Sequence, residues 1–220
     1  MSGPLALVGG QAWSDGCEFD KDLLAASGAT EVVVLPTAAA YESPATRVAA
    51  AETWFSGLGA EVRSLSVLAR PDAFEQEHVD AIAAARFVYL SGGSPLHLRS
   101  VLKETPAWEA LCQAWESGAV IAGSSAGAMV LTDPMVDPRG GAFTLGLGLL
   151  PQLALICHYE DWSVDKAHRT ISLAPKGMPV LGVPNRTAAI RDGEGGWRVA
   201  GAGQVKVFVD GAEASLDVLP

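Results

Sequence analysis

Ala119-Val-Ile-Ala-Gly-Ser-Ser-Ala-Gly-Ala-Met-Val-Leu131 is the stretch from which the rest of the chain can be read. A short apolar, β-branched run enters a Gly-X-Ser-X-Gly turn and leaves it through small helix formers. That is how a strand hands over to a helix. Gly123 and Gly127 leave room for a turn too sharp for side chains on its flanks. Ser125 then sits at the apex with its hydroxyl pushed clear of the backbone. The N–H of Ala126 points into the same space from the start of the helix, where the dipole favours negative charge. An exposed oxygen beside an oxyanion donor is what a serine nucleophile needs. The same five residues also fit a glycine-rich connection whose serines merely cap the helix, so the surrounding chain has to decide.

Upstream, Leu5-Ala-Leu-Val8 ends in Gly9-Gly10 and reads as a first strand. Glu31-Val-Val-Val-Leu-Pro36 has consecutive β-branched residues without alternation, which predicts a central parallel strand buried on both faces. Between such runs lie helical patterns. These are Asp20 to Ala26, a helix opened by Ser43-Pro44 with Val48, Ala51, Trp54 and Phe55 on one face, and a capping-box-like start at Asp72 and Glu75 with Phe74, Val79 and Ile82 on one face. Phe87-Val-Tyr-Leu90 runs straight into Ser91-Gly92-Gly93-Ser94, and helices follow from Pro95 to Leu102 and from Pro106 to Glu116. Strand and helix alternate over half the chain, which predicts an α/β three-layer sandwich with a mainly parallel central sheet and helices on both faces. Sites of such sheets lie at the carboxyl ends of strands, where both Gly92-Gly93 and Ser125 fall. Past Leu131 the pattern changes. A strand over 153–157 leads to His158, and Asp161 to Leu173 reads as a helix. Asp192-Gly-Glu-Gly-Gly and Asp210-Gly mark antiparallel hairpin strands appended to the sheet. With no repeat or linker, residues 1–220 read as a single domain.

Composition narrows the partners. A net charge of −10 argues against nucleic acid and against an anionic membrane surface, both of which need a basic patch. No uncharged run has membrane-spanning length, and the opening residues lack a basic leader, so a cytoplasmic protein is expected. Cys17, Cys112 and Cys157 are far apart, odd in number and without Cys-X-X-Cys spacing, which speaks against disulfides and a zinc ribbon. No cluster has metal-ligand spacing, and Gly9-Gly10 lacks the remaining glycines of a dinucleotide fingerprint. No cofactor is expected.

A serine nucleophile needs a base, and there are four histidines. His78, His97 and His168 fall on helical patterns and read as surface residues. His158 ends a buried-looking strand, where a hydrophilic residue has a functional reason to be, and it is the candidate base. Cys157 adjoins it but would point to the opposite face of the strand, and Cys112 reads as helix core.

Four segments carry a resemblance: Ser91-Gly-Gly-Ser-Pro-Leu-His-Leu98, Gly123-Ser-Ser-Ala-Gly-Ala-Met129, Gly146-Leu-Gly-Leu-Leu-Pro-Gln-Leu-Ala-Leu-Ile-Cys-His158 and Gly182-Val-Pro-Asn-Arg-Thr-Ala188. In their order and spacing the chain resembles the dipeptidase E and cyanophycinase family of serine peptidases, whose fold is similar to class I glutamine amidotransferases. The resemblance implies a serine exopeptidase or dipeptidase acting on short peptides through an acyl-enzyme, with an aspartyl preference. It makes Ser125 the nucleophile and His158 the general base, with Gly93 and Ala126 as the oxyanion donors. Relatives often form dimers, so a homodimer belongs to the same expectation.

The third member departs from the family pattern. Where the family has glutamate, this chain has Asn185, its only asparagine. An asparagine carbonyl can orient an imidazole but brings no full charge. Glu160, two residues past His158, is the other candidate, since residues two apart on a continuing strand point the same way. It could equally just start the next helix, and the sequence leaves Glu160, Asn185 or neither open. The residues flanking His158 differ from those of cyanophycinases, which makes cyanophycin an unexpected substrate. Arg169 and Arg186 are the candidate carboxylate binders, against a plain reading as surface charges. The loss of the glutamate also motivates a rival reading, a non-catalytic homologue that binds a small ligand in the same cleft.

Overall fold

The computed structural model describes residues 2–220. Strands β1 (Leu5–Val8), β2 (Glu31–Leu35), β3 (Glu61–Ser64), β4 (Phe87–Leu90) and β5 (Val120–Ser124) alternate with helices α1 (Phe19–Ser27), α2 (Pro44–Gly57), α3 (Gln76–Ala84), α4 (Pro95–Leu102) and α5 (Pro106–Glu116). A short helix, α6 (Ala126–Met129), follows β5 directly. Beyond it come β6 (Ala154–Cys157), α7 (Val164–Ser172), β7 (Val180–Val183), β8 (Thr187–Arg191), β9 (Trp197–Gly201), β10 (Lys206–Val209) and β11 (Ala212–Ala214).

The main sheet has seven strands in the order β9-β8-β1-β5-β4-β2-β3. β1 to β5 are mutually parallel, while β8 pairs antiparallel with β1 and β9 antiparallel with β8 at the edge. Side-chain alternation sends each central strand into two cores. Leu5, Leu7, Val33, Leu35, Val88 and Leu90 join one cluster with Ile82, Leu98, Leu102 and Leu111 from α3, α4 and α5. Ala6, Val8, Val32, Val34, Phe87 and Tyr89 join the other with Phe19, Leu23 and Phe55 from α1 and α2. Burial on both faces explains why these strands read as unbroken apolar runs.

The register sets up the site. Val8 pairs with Ser124, and Leu90 pairs with Gly123. The carboxyl ends of β1, β4 and β5 are therefore flush, and Gly9-Gly10, Ser91-Gly92-Gly93 and Ser125 leave the sheet at one edge.

Three local expectations change. The C-terminal hairpins part company: β8 and β9 extend the main sheet, whereas β10 and β11 belong to a second sheet ordered β6-β7-β10-β11. β7 pairs parallel with β6 on one side and antiparallel with β10 on the other, and Val180, Leu181, Val183 and Val207 bury together with β6 on the α3–α5 side. Asp72 does not cap α3. Its Oδ2 accepts the N–H groups of Leu68 and Ala69, fixing a 3₁₀ turn over Arg70–Phe74 that leaves Phe74 exposed. Ser43 precedes Pro44 as expected but makes no side-chain cap, because it is left-handed with φ 60°. By contrast, Ser94 and Thr105 cap α4 and α5 by accepting the His97 and Trp108 N–H groups.

Candidate active site

Ser125 joins β5 to α6 with φ 51° and ψ −112°, a conformation that costs free energy for any residue with a Cβ. The surroundings enforce it. Its N–H donates to the Val8 carbonyl and its carbonyl accepts the Met129 N–H, both at 2.9 Å. A side chain on Gly123 would strike the Gly127 carbonyl, and one on Gly127 would strike the Leu90 carbonyl, so the turn tolerates neither. Ser124 and Ser125 both line the space at the sheet edge, and of the two it is the Ser125 hydroxyl that meets His158. The β4–α4 turn lies against Ser125, with Gly92 placed so that an added Cβ would lie 3.4 Å from Ser125 Cβ. Among the described residues, neither the Gly93 nor the Ala126 N–H donates to a protein acceptor.

His158 comes to the same point from the second sheet. β6 stops at Cys157, and His158 itself is left-handed, with φ 52° and ψ 41°. Its N–H donates to the Gly9 carbonyl at 3.0 Å, tying it to the end of β1. The ring then lies edge-on between two partners, with Nε2 2.8 Å from Ser125 Oγ and Nδ1 2.6 Å from Asn185 Oδ1. An amide oxygen only accepts, so Nδ1 carries the proton and Nε2 presents its lone pair to the serine hydroxyl.

Gly10 makes this approach possible. Its φ is +151°, and a Cβ there would overlap the His158 ring and reach within 2.6 Å of Asn185 Oδ1. Its carbonyl accepts the Arg186 N–H at 2.8 Å, so the end of β1 holds the histidine and asparagine segments together.

Glu160 is not at the imidazole. The expectation of a continuing strand fails because His158 turns left-handed and Tyr159–Asp161 winds into a 3₁₀ turn. The Glu160 carboxylate instead accepts the Asn185 backbone N–H, with its oxygens at 2.8 and 3.1 Å. The neighbouring Asp161 accepts from the Asn185 side chain, Nδ2 to Oδ2 at 3.0 Å. Asn185 is only 7% exposed, and both of its amide atoms are partnered.

Ser125 and His158 open into a cleft of about 230 Å³ whose walls include Gln11, Trp13, Glu42, Arg47 and the Gly92-Gly93 turn. Neither Arg169 nor Arg186 is on its lining. Arg169 lies on α7 against Gly141, and the Arg186 stem packs by Gly16. The cleft's cation is Arg47 on α2, which makes no hydrogen bond or ion pair among the described residues. Sequence reading missed Arg47, Glu42, Gln11 and Trp13, none of which stands in a motif. Gly9-Gly10 reads in the sequence as the end of the first strand and as an incomplete nucleotide fingerprint, neither of which points to its place against His158.

The sulfur chemistry is closed. Cys157 is buried beside the Ser125 carbonyl, its Sγ 3.4 Å away, and desolvation pushes its thiol far above the ordinary value. Desolvation, with help from Glu116 and Glu109, pushes Cys112 up to about 11. Both stay protonated near neutrality and are poor nucleophiles. No group of three or more metal-binding side chains occurs among the described residues, and no helix is long and apolar enough to cross a membrane.

A model of peptidase family S51 matches residues 5–197. The chain belongs to peptidase family S51. Among its relatives, a cyanophycinase from Synechococcus elongatus is 30% identical over 158 residues, covering 67% of this chain and 49% of that protein. A cyanophycinase from Nostoc sp. is 26% identical over 215 residues, 92% of this chain and 72% of that one. The chain thus spans about half the length of the first of these relatives. The crystal structure of a peptidase from an acI-B1 Actinobacterium superposes with a TM-score of 0.86 at 29% identity, covering 97% of this chain and 93% of that one. A putative peptidase E protein from Listeria monocytogenes EGD-e, 18% identical with a TM-score of 0.73 over 92% of this chain and all of that one, shares the fold. The S51 match spans β1, the β4–α4 turn, the Ser125 elbow, His158 and Asn185, so every segment meeting at the cleft lies inside it.

Proposed function

We propose that this S51 chain is a serine exopeptidase of the dipeptidase type, hydrolysing short peptides through an acyl-enzyme on Ser125. The observation that carries the reading is the 2.8 Å contact from Ser125 Oγ to His158 Nε2 at a strained strand–helix elbow. Ser125 Oγ attacks the scissile carbonyl while its proton passes to Nε2. The imidazolium keeps its second N–H on Asn185 Oδ1. The carbonyl oxygen, now an oxyanion, accepts the free N–H groups of Gly93 and Ala126, each worth about a hundredfold or more in rate. Nε2 then returns the proton to the leaving amine as the C–N bond breaks. A water, deprotonated by the same nitrogen, releases the acyl group and restores the serine.

The cleft supports a short substrate. At about 230 Å³ it is smaller than ordinary drug-sized sites. Glu42 and Arg47 place opposite charges on its walls, suited to a peptide's ammonium and to a carboxylate at its terminus or on an aspartyl side chain. An Asp-X preference therefore rests on Arg47 rather than on Arg169 or Arg186. Replacement of a carboxylate by an amide beside the base favours a second reading, a ligand-binding homologue with little turnover.

The two readings separate by experiment. Hydrolysis of an Asp-X dipeptide panel by wild type should fall about 10⁴-fold or more in kcat for Ser125→Ala. Equal rates would sink the nucleophile assignment. Fluorophosphonate labelling at Ser125 would exclude the inert cleft.

A further inference from the structure

Asn185 is an unusual choice to hold a catalytic imidazole, because an amide can turn over. With its NH₂ group toward the ring, Nδ1 would have to accept, the proton would sit on Nε2, and Ser125 Oγ would have no base to donate to. Something must keep the carbonyl end on the histidine. Asp161 Oδ2, 3.0 Å from Asn185 Nδ2, is that group. A carboxylate only accepts, so it pairs with the NH₂ end and directs Oδ1 to His158, where the contact is 2.6 Å. The geometry comes from one turn. The Asp161 N–H donates to the His158 carbonyl at 2.9 Å, closing the 3₁₀ turn whose two ends grip the two ends of one amide. Glu160, in the middle of the turn, accepts the Asn185 backbone N–H and fixes where that amide starts.

We infer that Asp161 is a positioning residue for the base: through Asn185 it sets the tautomer of His158 and supplies, one side chain removed, the negative charge that the asparagine lacks. The relay runs Asp161 to Asn185 to His158 to Ser125. Each donor–acceptor pair in it has one consistent polarity: Asn185 N–H to carboxylate, His158 N–H to amide oxygen, serine O–H to imidazole nitrogen. When the imidazole takes the serine proton, the Asn185 dipole, aligned and polarised by the carboxylate, stabilises the imidazolium. Asp161 is solvent-exposed, so its charge is partly screened and its effect is smaller than that of a buried acid in direct contact.

The inference rests on the proposed roles of Ser125 and His158, and its test has an arm that does not. In Asp161→Asn the shape is kept while the charge and the fixed amide polarity are lost. Expected is a fall in kcat of about fivefold with KM nearly unchanged, a size that matches one weakened hydrogen bond to a charged group. The decisive variant is the exchange Asp161→Asn with Asn185→Asp, which moves the carboxylate into direct contact with Nδ1 and sets the new amide behind it. The double variant is expected to exceed Asp161→Asn in kcat by at least that factor, the non-additivity expected of groups in one network. Proton NMR of His158 supplies the independent arm. Its downfield Nδ1–H resonance should move upfield in Asp161→Asn and return in the double variant, whether or not the protein turns over a peptide. Wild-type kcat in Asp161→Asn, a double variant no better than the single, or an unmoved resonance would each overturn the relay. Loss of the Ser125 dependence with the resonance behaving as expected would instead count only against the peptidase reading.

Discussion

Two polar clusters, linked through Trp13, are built on opposite terms. At the cleft, Ser125, His158, Asn185 and Asp161 form a chain in which donors meet acceptors in sequence. Behind Trp13, on the α1–α2 side of the sheet, Asp20 and Tyr89 are fully buried with polar atoms left over. Asp20 Oδ2 accepts the Trp54 indole N–H at 3.0 Å, but Asp20 Oδ1, the Tyr89 hydroxyl and the Trp13 indole nitrogen have no partner among the described residues. Trp13 spans both clusters, lining the cleft while its ring packs tilted against Tyr89, with centroids 5.0 Å apart. Burial pushes the Asp20 carboxyl from its ordinary 3.8 up to about 8, with the Trp54 bond pulling only partly back. Burial alone therefore does not distinguish a working site. Partnered polarity at a solvent-facing edge orients a proton, whereas unpartnered polarity in the core neutralises its acid.

The contrast can be broken at the cleft first. Gly10→Ala places a methyl against the imidazole and Asn185 and also strains a φ of +151°. A displacement of the base on the scale of 1 Å should cost about a hundredfold in kcat, measured on the best dipeptide of the panel. Undiminished turnover would show that the ring does not depend on that gap.

The second test bears on the core cluster and runs through pH. Asp20 binds its proton more tightly folded than unfolded, so between about pH 4 and pH 8 the folded state holds more protons. Stability is then full below pH 4, falls as pH rises through that window, and levels off above about 8. Asp20→Asn keeps an acceptor for the Trp54 N–H and removes the titration. Urea unfolding across this range should show a slope in wild type, with a total loss of a few kcal/mol, and that contribution should vanish in Asp20→Asn. Parallel curves for the two proteins would refute the neutral buried acid.

The smallest effect is expected at Tyr89→Phe. A hydroxyl without a partner contributes nothing by hydrogen bonding, and its removal lifts a desolvation cost. Stability in urea should stay within about 1 kcal/mol or rise slightly. A loss well beyond that would mean the hydroxyl is bonded after all and would bring the two clusters closer in kind.

What could be read without a structure was local. The elbow at Ser125 is marked by two glycines within five residues: the clash that excludes a Cβ at Gly123 lies inside the turn itself, with the Gly127 carbonyl, although the one at Gly127 is with Leu90 on the neighbouring strand. The helices from Pro95 and Pro106 begin where the sequence places them, since Ser94 and Thr105 each cap within three residues. The unbroken valines of β2 announced a strand covered on both sides, and two cores meet on it. His158 stood out because a polar residue at the end of an apolar run has to go somewhere specific.

Only the tertiary structure could choose between Glu160 and Asn185. The choice turns on one left-handed residue, His158, whose backbone bends the chain so that the nearer acid faces a backbone N–H while an amide 27 residues away reaches the ring. No periodicity encodes that bend. It is held by the hydrogen bond from the His158 N–H to the Gly9 carbonyl, a contact that ties the second sheet to the end of the first strand of the main sheet. The same holds for Asp161, whose meaning depends on Asn185 lying behind it, and for Arg47, a helix residue that the packing of α2 turns toward the cleft. The sequence by itself determined which residue would be presented at the sheet edge. The register of β1 against β5 and β8, and the second sheet packed beside them, decided which residues would meet it, because those contacts join segments that no local rule relates.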